Sequence, residues 1–371
     1  MKILYIAHFE EGSGWSQAAI DYVLALDSIG IDIVCRNIKL TPQQNFIPER
    51  IKELLSKPLS NIDYCIQHVL PHHLVSTKKF KKNIAAFVSE TDTIKNTSWY
   101  QHLYEMDEVW LPNQSNCDAL INDGIKNVKN IPYAFNIDKY KNVNNKINLY
   151  TATNKFKFYY IGDFNDRKNI AGIIRAFHSE FHSGENVSMI FKIKQFGLSP
   201  EQLSQSFTQF SNNIKSNLRI HNSLNMFPTE IVITANMDND AINNLHNTCD
   251  CFINISHGEG WSIPAFEAMA FGKTPICSDE GGPKEYIDKQ NKNTGILIDG
   301  IYSTCTHSNP AFKEIFTGRD NWFIPSEVEA RKAMRYYYEN KNNIDRNIGL
   351  KQAEKFSYQN VANKIKDTLH E

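Results

Sequence analysis

Short apolar runs alternate with longer polar or amphipathic stretches along most of the chain. Lys2–His8 reads as a buried strand and runs into the turn-prone Glu10-Glu11-Gly12-Ser13-Gly14-Trp15-Ser16. A helical pattern covers Ala18 to Ser28 and stops at Gly30, after which Ile31 to Cys35 forms a second strand. Asp63–Gln67 and Ile84–Val88 are further strands between polar helical stretches. The polar, Asn-rich run Lys141–Asn154 reads as a linker. Beyond it the alternation restarts: a strand at Phe156–Ile161, then a helix at Ile170–Phe181. Helices are also predicted over Ser326–Glu339 and Asn360–Leu369, whereas residues 300–325 follow neither period. Strands alternating with helices in this way predict an α/β fold with parallel sheets.

The clearest unit is CFINISHGEGWSIPAFEAMAFGKTPICSDEGGPKEYI, residues 251–287. Cys251 to Ile255 is an apolar strand, and His257-Gly258-Glu259-Gly260 is a turn. Pro264 suits the first position of the helix that follows, because its ring presets φ and its missing N–H would be unpaired there. Ile263, preceding a proline, is expected to be extended, with the sharp turn at Ser262–Pro264. Gly272 closes the helix and Thr274 to Cys277 opens the next strand, which completes a βαβ unit.

A helix N-terminus at such a turn favours an anion, and Gly258 and Gly260 let a ligand approach the backbone. Glu259 lies just before the helix and Glu267 about one turn inside it. Carboxylates beside an anion site are expected to accept hydrogen bonds from neutral hydroxyls. A ligand that is anionic in the middle and hydroxylated on both sides is a nucleotide sugar. For either glutamate alone the plainer reading is a solvated loop residue or a first-turn acid complementing the helix dipole.

Glu259 and Glu267, with seven residues between them inside HGEGWSIPAFEAMAFGKTPIC, resemble the Glu-x7-Glu motif of retaining GT-B glycosyltransferases, glycosyltransferase family 4 (glycosyl transferases group 1). The resemblance is strongest over residues 156–290 and weaker over 1–140. It implies a GT-B fold: two Rossmann-like domains facing each other across a cleft, with a C-terminal helix crossing back to the N-terminal domain. The implied division is 1–150, plus about 356–371, for the acceptor-side domain and 151–355 for the nucleotide-sugar domain. In the family the first glutamate meets the donor sugar and the second the ribose, which implies those roles for Glu259 and Glu267. Gly260, Trp261 and Ser262 then belong to the donor site. Gly12 and Gly14 resemble the family's Gly-rich N-terminal turn, whose amides face the donor diphosphate.

Gly162-Asp163-Phe164-Asn165-Asp166-Arg167-Lys168-Asn169 resembles the family's GxxxxRKN stretch. A cation pair at a helix start opposes the dipole, and an anionic ligand removes that conflict. Arg167 can grip a diphosphate with forked hydrogen bonds and Lys168 as a point charge. Gly281-Gly282-Pro283-Lys284-Glu285-Tyr286-Ile287 is similar to the family's GGxxE and opens a helix. Val109-Trp110-Leu111-Pro112-Asn113-Gln114-Ser115 resembles the family's VWxPS strand end and Ile131-Pro132-Tyr133-Ala134-Phe135-Asn136-Ile137-Asp138 its IPxGxD stretch, which usually end the first domain. Ser89-Glu90-Thr91-Asp92 stands where many members carry a sugar-contacting histidine, so Glu90 is an acceptor-side candidate; the alternative is a helix N-cap cluster.

Composition narrows the rest. A length of 371 residues suits two domains, and 41% hydrophobic content fills their cores. The formal net charge of −1 leaves no electrostatic footprint for nucleic acid. The run Lys78-Lys79-Phe80-Lys81-Lys82 can touch anionic lipid headgroups or an acidic acceptor, giving peripheral membrane contact; the alternative is a solvated face. The odd number of cysteines, seven, without paired spacing, reads as reduced core residues of a cytoplasmic protein. No stretch approaches a membrane span.

Other motifs are decoys. GSGWSQ lacks the third glycine of a dinucleotide fingerprint, and no acid closes the second strand. His178 and His182 are not an HExxH pair, and the proline in QHVLPHHL spoils ligand spacing for His68, His72 and His73. Asp238-Asn239-Asp240 spells a metal-binding DxD but suits a helix cap better. The expected activity is retaining transfer of a hexosyl group from a UDP- or GDP-linked sugar to a carbohydrate-type hydroxyl acceptor. No metal or other cofactor is required, and Arg167, Lys168 and Glu259 are the catalytic candidates. The alternative is a non-catalytic GT-B scaffold or nucleotide-sugar-binding partner subunit; the intact charged residues argue for the enzyme.

Overall fold

The computed structural model describes residues 1–41, 45–141, 143, 145–309 and 312–370. The chain divides into two compact units: Met1–Ile137 with Thr304–Trp322 and Glu354–Glu371, and Asp138–Ser303 with Phe323–Ala353. Two positions of the expected linker, Asn142 and Asn144, lie outside the described residues, as do Pro310 and Ala311 of the unplaced 300–325 segment.

The first unit opens with β1 (Lys2–Ala7), α1 (Gly14–Ser28), β2 (Asp32–Asn37), α2 (Glu49–Ser56) and β3 (Tyr64–His68). It continues through β4 (Lys82–Ala86), α3 (Tyr100–Tyr104), β5 (Glu108–Leu111), α4 (Gln114–Asn122) and β6 (Val128–Asn130). Its strands pair in the order β2-β1-β3-β4-β5-β6, with every described pairing parallel. Helix α1 begins four residues before the expected Ala18, because Ser13 and Ser16 form a reciprocal capping box there. Such caps are worth about 1 kcal/mol and fix where a helix starts.

The second unit contains β7 (Phe156–Asp163), α5 (Ile170–Glu180), β8 (Val187–Lys194), α6 (Pro200–Leu218), β9 (Thr229–Ile233) and α7 (Asn239–Thr248). Then come β10 (Cys251–Asn254), α8 (Ile263–Ala270), β11 (Ile276–Ser278), α9 (Pro283–Tyr286) and β12 (Ile296–Ile298). The strand order is β12-β11-β10-β7-β8-β9, again parallel throughout the described pairs. One face of this sheet, with Phe158, Tyr160, Phe191, Ile193 and Ile253, packs on Ile173, Phe177 and Phe207 of α5 and α6. The opposite face carries Tyr159 and Phe252, which meet His246 of α7.

Two strands, β13 (Gly300–Thr304) and β14 (Asn321–Pro325), form a separate ribbon, and α10 (Glu327–Glu339), α11 (Arg346–Ala353) and α12 (Tyr358–His370) complete the chain. Between the ribbon strands, His307 stacks on Phe316 with centroids 5.2 Å apart and planes at 9°, and Trp322 meets Phe316 at 5.1 Å. Asn321 donates through its backbone and side-chain N–H groups to Asp92, both at 2.7 Å, which anchors this segment to the first unit. Helix α12 belongs there too: Tyr358 donates to Asp21 at 2.5 Å and Tyr64 to the Leu369 carbonyl at 2.9 Å.

Residues 138–150 fall in the second unit rather than the first, as Lys139 pairs with Glu267 and Tyr140 meets the edge of Phe271. All seven cysteines are buried and none is in a disulfide. Among the described residues no helix is long and apolar enough to cross a membrane.

Candidate active site

The turn after β7 is shaped by two asparagines. Asn165 accepts from the Lys168 N–H at 3.2 Å, and Asn169 caps α5 by accepting from Gly172 at 3.2 Å. Asn169 sits at φ 49°, a left-handed conformation that asparagine tolerates better than most side chains. Its Nδ2 donates to the Ile255 carbonyl at 3.0 Å, which joins this turn to the end of β10. The His257 N–H and Ser256 hydroxyl both donate to the Arg167 carbonyl, at 2.8 and 3.0 Å. Arg167 and Lys168 are thus fixed over the Gly258–Gly260 turn.

There the charges converge. Arg167 Nη1 donates to the Gly258 carbonyl at 2.6 Å and lies 3.7 Å from Glu259 Oε2. Lys168 Nζ donates to Glu259 Oε1 at 2.5 Å, and Asn254 Nδ2 donates to the same oxygen at 2.9 Å. The Arg167, Lys168 and Glu259 side chains are only 12%, 14% and 9% exposed, so water screens the group weakly. Burial pushes the Glu259 carboxyl up, but Lys168 and then Arg167 more than offset it, holding the group below its ordinary range. The two cations therefore hold Glu259 itself, where the expectation was a carboxylate accepting from neutral hydroxyls.

Helix α8 starts at Ile263, one residue before the expected Pro264, so Ile263 is helical rather than extended. The turn falls at Ser262, within the expected Ser262–Pro264, at φ 64° and ψ 69°. Its side chain does not cap the helix; Ser262 Oγ accepts from Asn254 at 2.8 Å. The Trp261 ring packs against Tyr286 and Phe266, with centroids 5.3 and 6.0 Å away, and is 2% exposed. Trp261 can therefore serve a ligand through its backbone, not its indole face.

Gly281 and Gly282 explain the double glycine that follows β11. A Cβ on Gly281 would stand 2.0 Å from the Glu259 carbonyl oxygen, and one on Gly282 would stand 2.2 Å from Trp261 Cα. The Gly282 N–H donates to that same Glu259 carbonyl at 3.1 Å. Only glycine lets this loop brace the Glu259 turn so closely.

Glu267 has its own partners. Lys139 donates to Oε1 at 2.8 Å, and His246 Nε2 stands 3.7 Å from Oε2, beyond hydrogen-bond length. Burial raises this carboxyl, yet Lys139 and His246 bring it down to about 2. The His246 ring is oriented by Tyr159, 2.8 Å from Nδ1, and by stacking on Phe271 at 5.4 Å.

Gly12, Gly14 and Glu90 lie in the first unit. Gly12 takes φ 62°, and Gly14 is the first residue of α1, whose leading amides Ser13 partly satisfies. Ser89–Asp92 caps no helix: Ser89 and Thr91 bond within the turn, and Asp92 receives Asn321. The histidines of 68–73 separate, with His68 ending β3 and His72 and His73 on a 3-10 turn at Pro71–His73. Asp238 accepts from Ala241 at 2.8 Å and caps α7. His178 is buried 2.9 Å from Glu230, whereas the His182 side chain is 67% exposed.

The sequence pattern of the family described as Glycosyl transferases group 1 matches residues 215–301, inside the second unit. No curated protein sequence matches the chain. Solved structures similar in fold include Anabaena HepE in complex with UDP-glucose, 15% identical with a TM-score of 0.62 over 100% of this chain and 99% of that one. The sucrose-phosphate synthase of Thermosynechococcus elongatus is 12% identical, with a TM-score of 0.65 over 100% and 98%. The lipopolysaccharide outer core galactosyltransferase WaaB is 13% identical, with a TM-score of 0.62 over 100% and 99%. The two parallel six-stranded sheets and these neighbours define a GT-B fold. Its second unit carries the group 1 glycosyl transferase pattern.

Three residues of the site went unread in the sequence. Asn254 was absorbed into an apolar run, although a polar residue at the carboxyl end of a parallel strand is itself a ligand signal. Lys139 and His246 are remote from Glu267 in sequence, and no local spacing announces them.

Proposed function

We propose that the protein is a retaining glycosyltransferase that moves a hexosyl group from a nucleoside diphosphate sugar to an acceptor hydroxyl. The observation that carries this reading is the convergence of Arg167 and Lys168 on Glu259, beside the N-terminus of α8. On donor binding, the diphosphate takes the place of Glu259 as partner of the two cations, and the freed carboxylate accepts from sugar hydroxyls. Glu267 accepts from the ribose hydroxyls, its orientation fixed by Lys139 and His246. Glu90, in the first unit, is assigned to the acceptor.

In the proposed reaction the bond from the anomeric carbon to the diphosphate oxygen breaks, and the acceptor oxygen bonds to that carbon on the same face. The acceptor proton passes to the departing diphosphate. Arg167, Lys168 and the α8 amides stabilise the growing charge, so positioning and electrostatics carry the rate and no metal is needed. The group 1 pattern over residues 215–301 and the GT-B fold support the transfer chemistry. Thermal melting with a panel of nucleoside diphosphates tests it first, since a ligand that binds only the native form raises its stability. Release of nucleoside diphosphate from the matching sugar donor tests catalysis. A protein that binds no nucleotide, or binds one and releases nothing with any acceptor, is a scaffold and not a transferase.

A further inference from the structure

Lys192 is a buried cation that the proposed chemistry does not use. It stands on β8 with only 7% of its surface exposed. Its Nζ makes one long hydrogen bond, 3.4 Å to the Ile193 carbonyl, and among the described residues no carboxylate pairs with it. An ammonium carries three donors, so most of its capacity is unspent in a setting where an unpaired charge is costly. Burial, and then Lys194, lower its proton affinity, with Asp163 pulling the other way.

Its position is informative. Phe191 and Ile193 face the α5–α6 side, so Lys192 faces the opposite side of the sheet. Asn254, next to the core residue Ile253, faces that same side, where it holds Glu259. Lys192 is opposite Ile161 on β7, and Asn254 lies two residues beyond the Phe252–Tyr159 pair on β7's other flank. Lys192 and Asn254 are thus level with one another and two strands apart, about 10 Å. From Lys192 the sheet continues only to Ile233 on the edge strand β9. The loop after β8 then presents Phe196, 97% exposed, four residues on.

We propose that Lys192 and Phe196 form the nucleobase subsite, and that Lys192 selects bases carrying a keto oxygen. This inference rests on the donor site proposed above and adds the residues that read the base. An ammonium can only donate, so it suits O4 of uracil or O6 of guanine and opposes the amino groups of adenine and cytosine at the same edge. The exposed Phe196 ring offers a stacking surface, which is indifferent to base identity. With the cations Arg167 and Lys168 at one end for the diphosphate, a nucleotide runs outward across β7 to β8.

Calorimetric titration of the full chain with UDP, GDP, ADP and CDP tests the subsite. The wild type should bind UDP or GDP roughly tenfold or more above ADP and CDP, as a charged hydrogen bond implies. Lys192→Met should lose that factor for the keto base alone, and Phe196→Ala should weaken all four alike. Lys192→Gln, which can both donate and accept, should narrow the preference while keeping the fold, checked by circular dichroism. Equal affinities of Lys192→Met and wild type for each nucleotide would overturn the proposal. An equal loss for all four would also overturn it, by making Lys192 a phosphate contact or a packing residue. Binding of no nucleotide by the wild type would sink the donor site as well, whereas binding without base discrimination sinks only this subsite.

Discussion

Replacing Lys168 by methionine removes one charge while keeping most of the side chain's length and apolar volume. The lost bond is the 2.5 Å contact to Glu259, between side chains 14% and 9% exposed. Breaking a buried ion pair outright costs about 3–5 kcal/mol, because the remaining charge is stranded. Glu259 would keep the 2.9 Å bond from Asn254 and the Arg167 guanidinium at 3.7 Å. The expected loss is therefore smaller, about 2 kcal/mol.

The loss also has a pH signature. Glu259 is held below its ordinary carboxyl range in the folded protein. A depressed carboxylate stabilises the fold fully above its unfolded pKa of about 4.3, and that stabilisation disappears as pH falls through the folded value. Lys168 is the largest of the influences that lower it, so the variant's Glu259 should titrate higher. The deficit of Lys168→Met relative to wild type should then be full at pH 7.5 and shrink progressively below about pH 4.5. Urea denaturation of both proteins, followed by circular dichroism from pH 7.5 to 3.5, measures this. A deficit that is absent at pH 7.5, or that grows as pH falls, would refute the coupling between Lys168 and Glu259.

Other substitutions probe the neighbouring parts. Gly281→Ala forces a methyl to within 2.0 Å of the Glu259 carbonyl at φ 66°, so a loss of about 3 kcal/mol or more is expected in thermal or urea melts; an unaffected variant would mean that the loop does not brace the turn. Glu267, brought from 4.5 to about 2, stabilises the fold by roughly 3 kcal/mol at neutral pH. That contribution is lost as pH falls from about 4.5 through 2, so Glu267→Gln should show a flatter acid limb; identical limbs would contradict the pairing with Lys139. Glu267→Ala should weaken nucleoside diphosphate binding roughly tenfold or more by calorimetry, and unchanged affinity would remove it from the ribose.

Much of this arrangement was legible because local signals agreed. The alternation of Phe156–Ile161 with Ile170–Phe181, and of Cys251–Ile255 with the helix to Gly272, places β7, α5, β10 and α8 close to where they occur. Arg167, Lys168 and Glu259 could be grouped because both turns follow parallel strands at their carboxyl ends, where ligands collect. What sequence could not supply is set by contacts distant along the chain. Ser262, not a proline-restricted Ile263, makes the turn, since Asn254 takes the serine hydroxyl and Tyr286 donates to its carbonyl at 3.3 Å. The described residues of 300–325 had no periodicity because they are held by an aromatic cluster and by Asp92, not by an amphipathic face. Lys139 lay within an apparent first domain until Glu267 claimed it.

The role of the cation pair is tested most directly by comparing turnover with donor affinity in Arg167→Ala. A group that stabilises the departing diphosphate acts more in the transition state than in the bound donor. Steady-state rates of nucleoside diphosphate release at saturating donor should fall by roughly a hundredfold or more, while the donor's Kd from calorimetry rises by about tenfold at most. Parallel losses in the two quantities, or full turnover in the variant, would contradict the assignment.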